Sequence, residues 1–419
     1  MLGNLLAWRM RIFARRSNCD SRAMGLASAA RRMHAVADLM VHSIFPLMNT
    51  FPRVILAMVI FSLSMAFDMR AQVRDEPVNP AILEQMAERG NPDAQFELGI
   101  RLLGGEGLEK DEKKAAEWLQ KGAAQQHLPS MNALGTLYET GAGLAKDEKK
   151  AYEWYLRAAE YGYPLAQQNV SECFERGRGV AQDSKEASKW LARAAHQDFA
   201  PAQALYGWKL ETGTGIEKDT KEAANWYLKS AQGGLVRAMT RLAYMYYIGK
   251  GVPLDYRRAE AWYRRAARSD DPMARNDLAW FLSVCPDDNF HDGDSAVDFA
   301  RSSLADLKEE DYQVIDTLAA ALARSGNYGE AVQTQTKAIL AFEKEKTSNK
   351  EMSPEDVAKL EQELSERLKT YRGQQPFTEE EPKFEAGTKP LMDDRILEEE
   401  HMPRRKKRNV SPGNDIEIS

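Results

Sequence analysis

Two rows of residues carry most of the chemistry this sequence offers. Trp208, Tyr244 and Trp280 stand 36 residues apart, in line with Ile100, Thr136 and Glu172 before them. Three residues further on, a second row reads Leu103, Glu139, Glu175, Glu211, Tyr247 and Ser283. The aromatic group is therefore Trp208, Tyr244, Tyr247 and Trp280, and the acidic group is Glu139, Glu172, Glu175 and Glu211. Tryptophan and tyrosine bring large contact areas with a polar tip and dominate binding hot spots. Set beside carboxylates, they suit a protein or peptide with apolar and basic residues. The other reading is that the aromatics fill gaps between neighbouring elements and touch no ligand.

Catalytic chemistry finds less support. The carboxylates recur at repeat positions, so no pair is singled out for acid–base work. There is no S-x-x-K, no G-x-S-x-G and no usable Ser/His/Asp trio. The six His are scattered, without H-x-x-x-H or C-x-x-C spacing. The expectation is a non-enzymatic protein with no catalytic residue, no metal and no cofactor.

A strict period positions these rows. Trp118, Trp154, Trp190, Trp226 and Trp262 are spaced by 36 residues. A fixed period of this length marks repeated units that bury their apolar faces only against their neighbours. Glycine pairs (Gly105/Gly107 to Gly249/Gly251), aspartates (Asp111, Asp147, Asp183, Asp219, Asp255) and alanines (Ala115 and Ala123, then every 36) keep the register.

Each unit reads as two helices. Ala94, Leu98 and Leu102 give the first helix one apolar face. The G-x-G segment ends it with positive φ. The aspartate caps the second helix, whose Trp wedges between units. Gly99, Gly135 and Gly207 leave room for the partner helix. Gly90, Gly162, Asp198, Gly234 and Asp270 break the second helix. A phosphate-loop reading of G-x-G fails, because no strand precedes the pairs and no G-K-[ST] follows.

The pattern A-x-x-x-L-G-x-x-Y-x-x-G-x-G-x-x-x-D-x-x-K-A-x-x-W-Y-x-x-A-A resembles the Sel-one-like repeat of the tetratricopeptide superfamily. Its fullest copy here is "ALYGWKLETGTGIEKDTKEAANWYLKSA". The resemblance implies an all-α fold, a right-handed α/α solenoid superhelix of repeated helix-turn-helix units. It covers residues 79–270 as a half unit, capped by Asn79 with Pro80 first in the helix, plus five full units. Residues 271–345 hold a degenerate repeat, with Cys285–Pro286 in place of G-x-G, and a tetratricopeptide-like unit. Val357, Leu360, Leu364, Leu368 and Tyr371 stripe a capping helix within 346–372. In such solenoids the first helices line the concave face, which would turn the aromatic and acidic rows inward. Relatives typically act as scaffolds in membrane-associated complexes, secretion or envelope signalling. Some secreted relatives are described as β-lactam hydrolases, and a cell-wall glycan is a further ligand the aromatic strip would suit.

Charge narrows the partner. Residues 1–66 carry eight Arg and two Asp, a net of +6, and the whole chain is −6, leaving −12 for the rest. An acidic solenoid is a poor ligand for nucleic acid, whose binding depends on neutralising phosphates. Three cysteines make no paired framework, and Cys173 and Cys285 read as small core residues.

Residues 54–67, "VILAMVIFSLSMAF", suit a signal-peptide h-region within an N-terminal extension over 1–71. Met48 begins a compact leader. Residues 1–47 are then a basic extension or an unused upstream start. The expectation is an exported protein, periplasmic or secreted, touching the membrane only through that segment; the alternative is a single-pass anchor. Residues 373–419 alternate acidic and basic blocks, the composition of a disordered tail.

Overall fold

The computed structural model describes residues 79–307, 311–348, 352–382, 391 and 396. The export segment at 54–67 and most of the charged tail lie outside these residues. The described residues form sixteen α-helices and one short 3-10 turn, with no strand among them. The fold is the expected α/α solenoid of helix pairs.

The described residues fall into two units, divided between Leu98 and Gly99. In the first, α1 (Pro80–Glu88) opens with Asn79, whose side chain accepts the Ala81 N–H at 2.9 Å, and Pro80 takes the first helical position. Gly90 at φ +88° turns the chain into α2 (Pro92–Gly104). The Gln95 amide then donates to the orphan carbonyl of Ala87 at 3.0 Å.

The second unit continues with α3 (Glu112–Ala124), α4 (Leu128–Thr140), α5 (Glu148–Glu160), α6 (Pro164–Arg176), α7 (Ser184–Ala195), α8 (Ala200–Thr212), α9 (Thr220–Gln232), α10 (Val236–Ile248) and α11 (Tyr256–Ala266). Helices α4/α5, α6/α7, α8/α9 and α10/α11 pack as hairpins, and each second helix also packs on the first helix of the next pair.

The repeated residues do the local work expected of them. Gly141, Gly177, Gly213 and Gly249 end first helices in the left-handed region, and each N–H returns to the carbonyl four residues back. Asp111, Asp147, Asp183, Asp219 and Asp255 each accept the N–H three residues on, as N-caps. A Cβ at Gly135 would lie 2.6 Å from the Tyr155 ring, so glycine here lets Tyr155 lie across α4. Gly162 and Gly234 break second helices at positive φ. Asp198 does the same at φ +57°, and Gln126 at φ +60° fills that place in the first repeat.

Beyond residue 271 the pairs lose the G-x-G turn. Helix α12 (Pro272–Val284) ends in extended backbone at Cys285, and a 3-10 turn (Asp288–Phe290) leads to α13 (Gly293–Asp306). Helices α14 (Tyr312–Arg324) and α15 (Tyr328–Ser348) form a further hairpin, closed by α16 (Pro354–Arg372). The α16 stripe buries Leu364 and Tyr371, with Val357 and Leu360 packed beside them. One apolar cluster runs from Leu191 to Ile396, and a smaller one spans Ala123 to Trp190.

The five periodic tryptophans withdraw progressively. Trp118 and Trp154 are half-buried, whereas Trp190, Trp226 and Trp262 are 8%, 4% and 1% exposed. A cation three residues on covers each ring: Lys121, Arg157, Arg193, Lys229 and Arg265.

Candidate functional site

The four acidic residues face cations of the chain itself. Glu139 pairs with Arg178 of the next unit and accepts the Tyr155 hydroxyl at 2.8 Å. Arg178 also holds Glu172, which pairs with Arg176 as well. Glu175 binds Lys209, again one unit on, and accepts the Ser184 hydroxyl at 3.0 Å. Glu211, only 3% exposed, pairs with Arg241 and with Lys250 at 2.9 Å, and accepts the Tyr227 hydroxyl at 3.1 Å. Burial alone would raise the pKa of Glu211, but hydrogen bonds from Arg241 and Lys250 outweigh it and hold the carboxyl below its ordinary range. The acidic row is thus an inter-repeat ion ladder. Two of its cations, Arg178 and Lys250, occupy the middle of G-x-G turns, a register signal the sequence contained.

The aromatic row divides in two. Trp208 on α8 and Tyr244 on α10 are 46% and 41% exposed, and the Arg241 guanidinium lies 5.4 Å from the Tyr244 ring. Tyr247 is 6% exposed and packs edge-on against Phe281. Trp280 on α12 is half-buried. Tyr247 and Trp280 both donate to one carboxylate, that of Glu379, with Trp280 Nε1 at 2.9 Å. Burial first, and the Glu379 charge second, push the Tyr247 hydroxyl far above its usual pKa, so it stays a donor.

Glu379 belongs to the charged tail. The composition of residues 373–419 suggests no fixed structure, yet residues 373–382 lie against α12, α14 and α16. The Phe377 ring sits 6.4 Å from Trp280 and 5.5 Å from the Arg367 guanidinium. Arg324 donates to the Phe377 carbonyl and the Thr378 hydroxyl, both at 2.7 Å. The Glu379 N–H donates to the Val284 carbonyl at 2.8 Å. The physical reason is specific bonding at 377–379, where no residue is fully buried, joined to burial of Leu391 and Ile396 further along. An isolated Pro376–Phe377 pair inside the charge run was the available signal.

Between this segment and α10, α12, α14 and α16 lies an open cleft of about 540 Å³, walled by Tyr244, Tyr263, Trp280 and Phe377. Asn276 and Asp277 line it as well, and Asn276 Oδ1 is buried without a hydrogen-bond partner. Burial, with a smaller push from Asp271, raises the Asp277 carboxyl to about 6. Cys173 and Cys285 are free and buried. Among the described residues no group of His, Cys, Asp and Glu is placed to hold a metal, and no helix is long and apolar enough to cross a membrane.

Stacked helix pairs with a register-locked face define an α/α repeat protein. Five consecutive segments, 92–127, 128–163, 164–199, 200–235 and 236–271, match the Sel1 repeat, so residues 92–271 carry five Sel1 repeats. Sel1 repeats generally serve as protein-interaction scaffolds. Among solved structures, a Sel1 repeat protein from Oxalobacter formigenes is 29% identical, covering 52% of this chain and 88% of that one, with a TM-score of 0.48. The protective antigen c5321 of uropathogenic Escherichia coli, displaying an SLR fold, is 26% identical over 70% and 72% of the two chains, with a TM-score of 0.34. Yeast Tom70 is 14% identical over 87% and 82%, with a TM-score of 0.35. No match is found among curated proteins.

Proposed function

We propose that the chain is a non-enzymatic scaffold that captures a protein or peptide partner on the concave face, where the first helices of its later repeats line up. One observation carries the reading. Trp208 and Tyr244 occupy the same position of successive units and are 46% and 41% exposed, while the second-helix Trp226 and Trp262 are withdrawn into the core. Exposed aromatics in a row are what a binding hot spot requires. The acidic residues serve this face indirectly: Glu139, Glu175 and Glu211 join α4, α6 and α8 to the next unit, and the Glu211–Arg241 pair ties α8, which carries Trp208, to α10, which carries Tyr244. The apolar run at 54–67 supports export to the cell envelope as the place of action.

Capture from an envelope fraction tests the reading. Replacing Trp208 and Tyr244 together by Ala is expected to weaken recovery of the partner at least tenfold, about 1.4 kcal/mol. The melting temperature should hold to within about 2 °C, because exposed side chains contribute little to folding. Undiminished recovery by the double variant contradicts the proposal, and a large fall in stability returns both residues to the core.

A further inference from the structure

The tail segment meets the solenoid in the manner of a bound peptide. Its main chain gives one donor and one acceptor, Glu379 N–H to Val284 and Phe377 C=O from Arg324. Its side chains are read separately. The Phe377 ring lies against Trp280 and the Arg367 guanidinium, and the Glu379 carboxylate is held between Trp280 Nε1 and the Tyr247 hydroxyl. Those two donors come from repeat-register positions on α10 and α12. The segment itself is lightly covered, between buried anchors at Tyr371 before it and Leu391 and Ile396 after it. None of residues 373–382 is fully buried, and the cleft of about 540 Å³ stays open beside them. A segment held by a few directed bonds over an unfilled cleft opens as a local loop between those anchors.

We propose that the surface formed by Tyr247, Trp280, Arg324 and Arg367 is a receptor for an extended peptide carrying an aromatic residue and, two positions later, a carboxylate. Residues 376–379, Pro-Phe-Thr-Glu, are its resident ligand, and a partner segment with the same pattern displaces them. The inference rests on the scaffold reading above and sharpens it. Trp208 and Tyr244 remain open for apolar contact, while the neighbouring surface selects an acidic partner segment rather than a basic one. The ion ladder agrees with this, since its carboxylates are already matched by the chain's own cations.

The test uses the full chain and a labelled peptide of residues 373–382, GQQPFTEEEP. In a full-length Phe377→Ala/Glu379→Gln variant residues 376–379 lose their side-chain contacts and leave the surface, while Leu391 and Ile396 hold the tail beyond them. That variant is expected to bind the peptide at least tenfold tighter than the unaltered chain, in which the tail competes. A peptide with Phe377→Ala, or one with Glu379→Gln, should bind the released variant about tenfold more weakly, the loss of about 1.4 kcal/mol. Adding Trp280→Phe keeps the ring, removes the N–H donor and should weaken binding about fivefold. Equal peptide binding by the released and unaltered chains overturns the proposal, as does equal binding of a scrambled peptide. The single Glu379→Gln chain repeats the comparison should the double variant fold poorly. Peptide failure with partner capture through Trp208 and Tyr244 intact sinks this inference alone, whereas failure of both sinks the scaffold reading beneath it.

Discussion

Glu211 on α8 and Asp277 on α12 show what decides the state of an acid withdrawn from water. Glu211 keeps its charge at 3% exposure because Arg241, Lys250 and Tyr227 surround it. Asp277 lines the cleft without such cations, and burial lifts its carboxyl to about 6. The unfolded chain releases this proton near the ordinary value of 3.8. Protonation therefore favours the folded state, and the contribution to stability is lost as pH rises from about 4 to about 6. A shift of about two units corresponds to about 3 kcal/mol at most. Asp277→Asn should raise stability by about 2 kcal/mol near neutral pH and change it little near pH 4. Urea denaturation at the two pH values checks this, and an equal gain at both would contradict it. The sequence could not separate such cases. Glu139, Glu172, Glu175 and Glu211 look alike in their rows, and their principal cations arrive mostly from the next unit, as far as 39 residues along the chain.

At the scale of the element, the G-x-G turn has two glycines with different duties. The first, such as Gly141, ends a helix at positive φ, and this the sequence made plain. The second, such as Gly143 at φ +69°, also lies against the preceding unit. A Cβ there would run into the Glu112 carbonyl, and the same holds for Gly179 with Glu148, Gly215 with Ser184 and Gly251 with Thr220. Backbone cannot retreat as a flexible side chain can. Gly143→Ala should therefore cost about 3 kcal/mol or more, combining left-handed strain with a main-chain clash. Gly162 has the same sign of φ, at +87°, with nothing within 4 Å of its missing Cβ. Gly162→Ala should cost only the conformational penalty, about 1 kcal/mol. Chemical denaturation of the two variants compares them directly, and similar costs would show that the inter-repeat approach adds nothing. The helix pairs were legible because their signals lie within one period. This contact was not, because it joins residues 31 positions apart that share no pattern of type.

Across the whole molecule, the array is not uniform although its sequence period is. The same Trp goes from half-buried in the first two repeats to 8%, 4% and 1% exposed in the last three. The apolar cluster that encloses the last two, from Leu191 to Ile396, also draws in α12 to α14 and the tail residues Leu391 and Ile396. Trp226 gains depth from its own neighbours, His196 of the preceding unit and Tyr206 of its own, which meet its ring edge-on. Period alone could not reveal this, since each Trp sits in the same motif while its neighbours change type: the places of His196 and Tyr206 are held by Glu160 and Val170 one unit earlier. In an array whose stability sums local and nearest-neighbour contributions, equal motifs then carry unequal energies. Trp262→Ala should cost about 3–5 kcal/mol, the range for a fully enclosed aromatic. Trp118→Ala, which gives up a half-buried ring and its Lys121 contact, should cost about 1–2 kcal/mol. Trp190→Ala should fall between them. Urea unfolding followed by far-ultraviolet circular dichroism measures all three on the same chain. Costs that are equal, or that descend toward Trp262, would mean that the motif alone sets the energy and that the depth of each ring in its own unit contributes nothing.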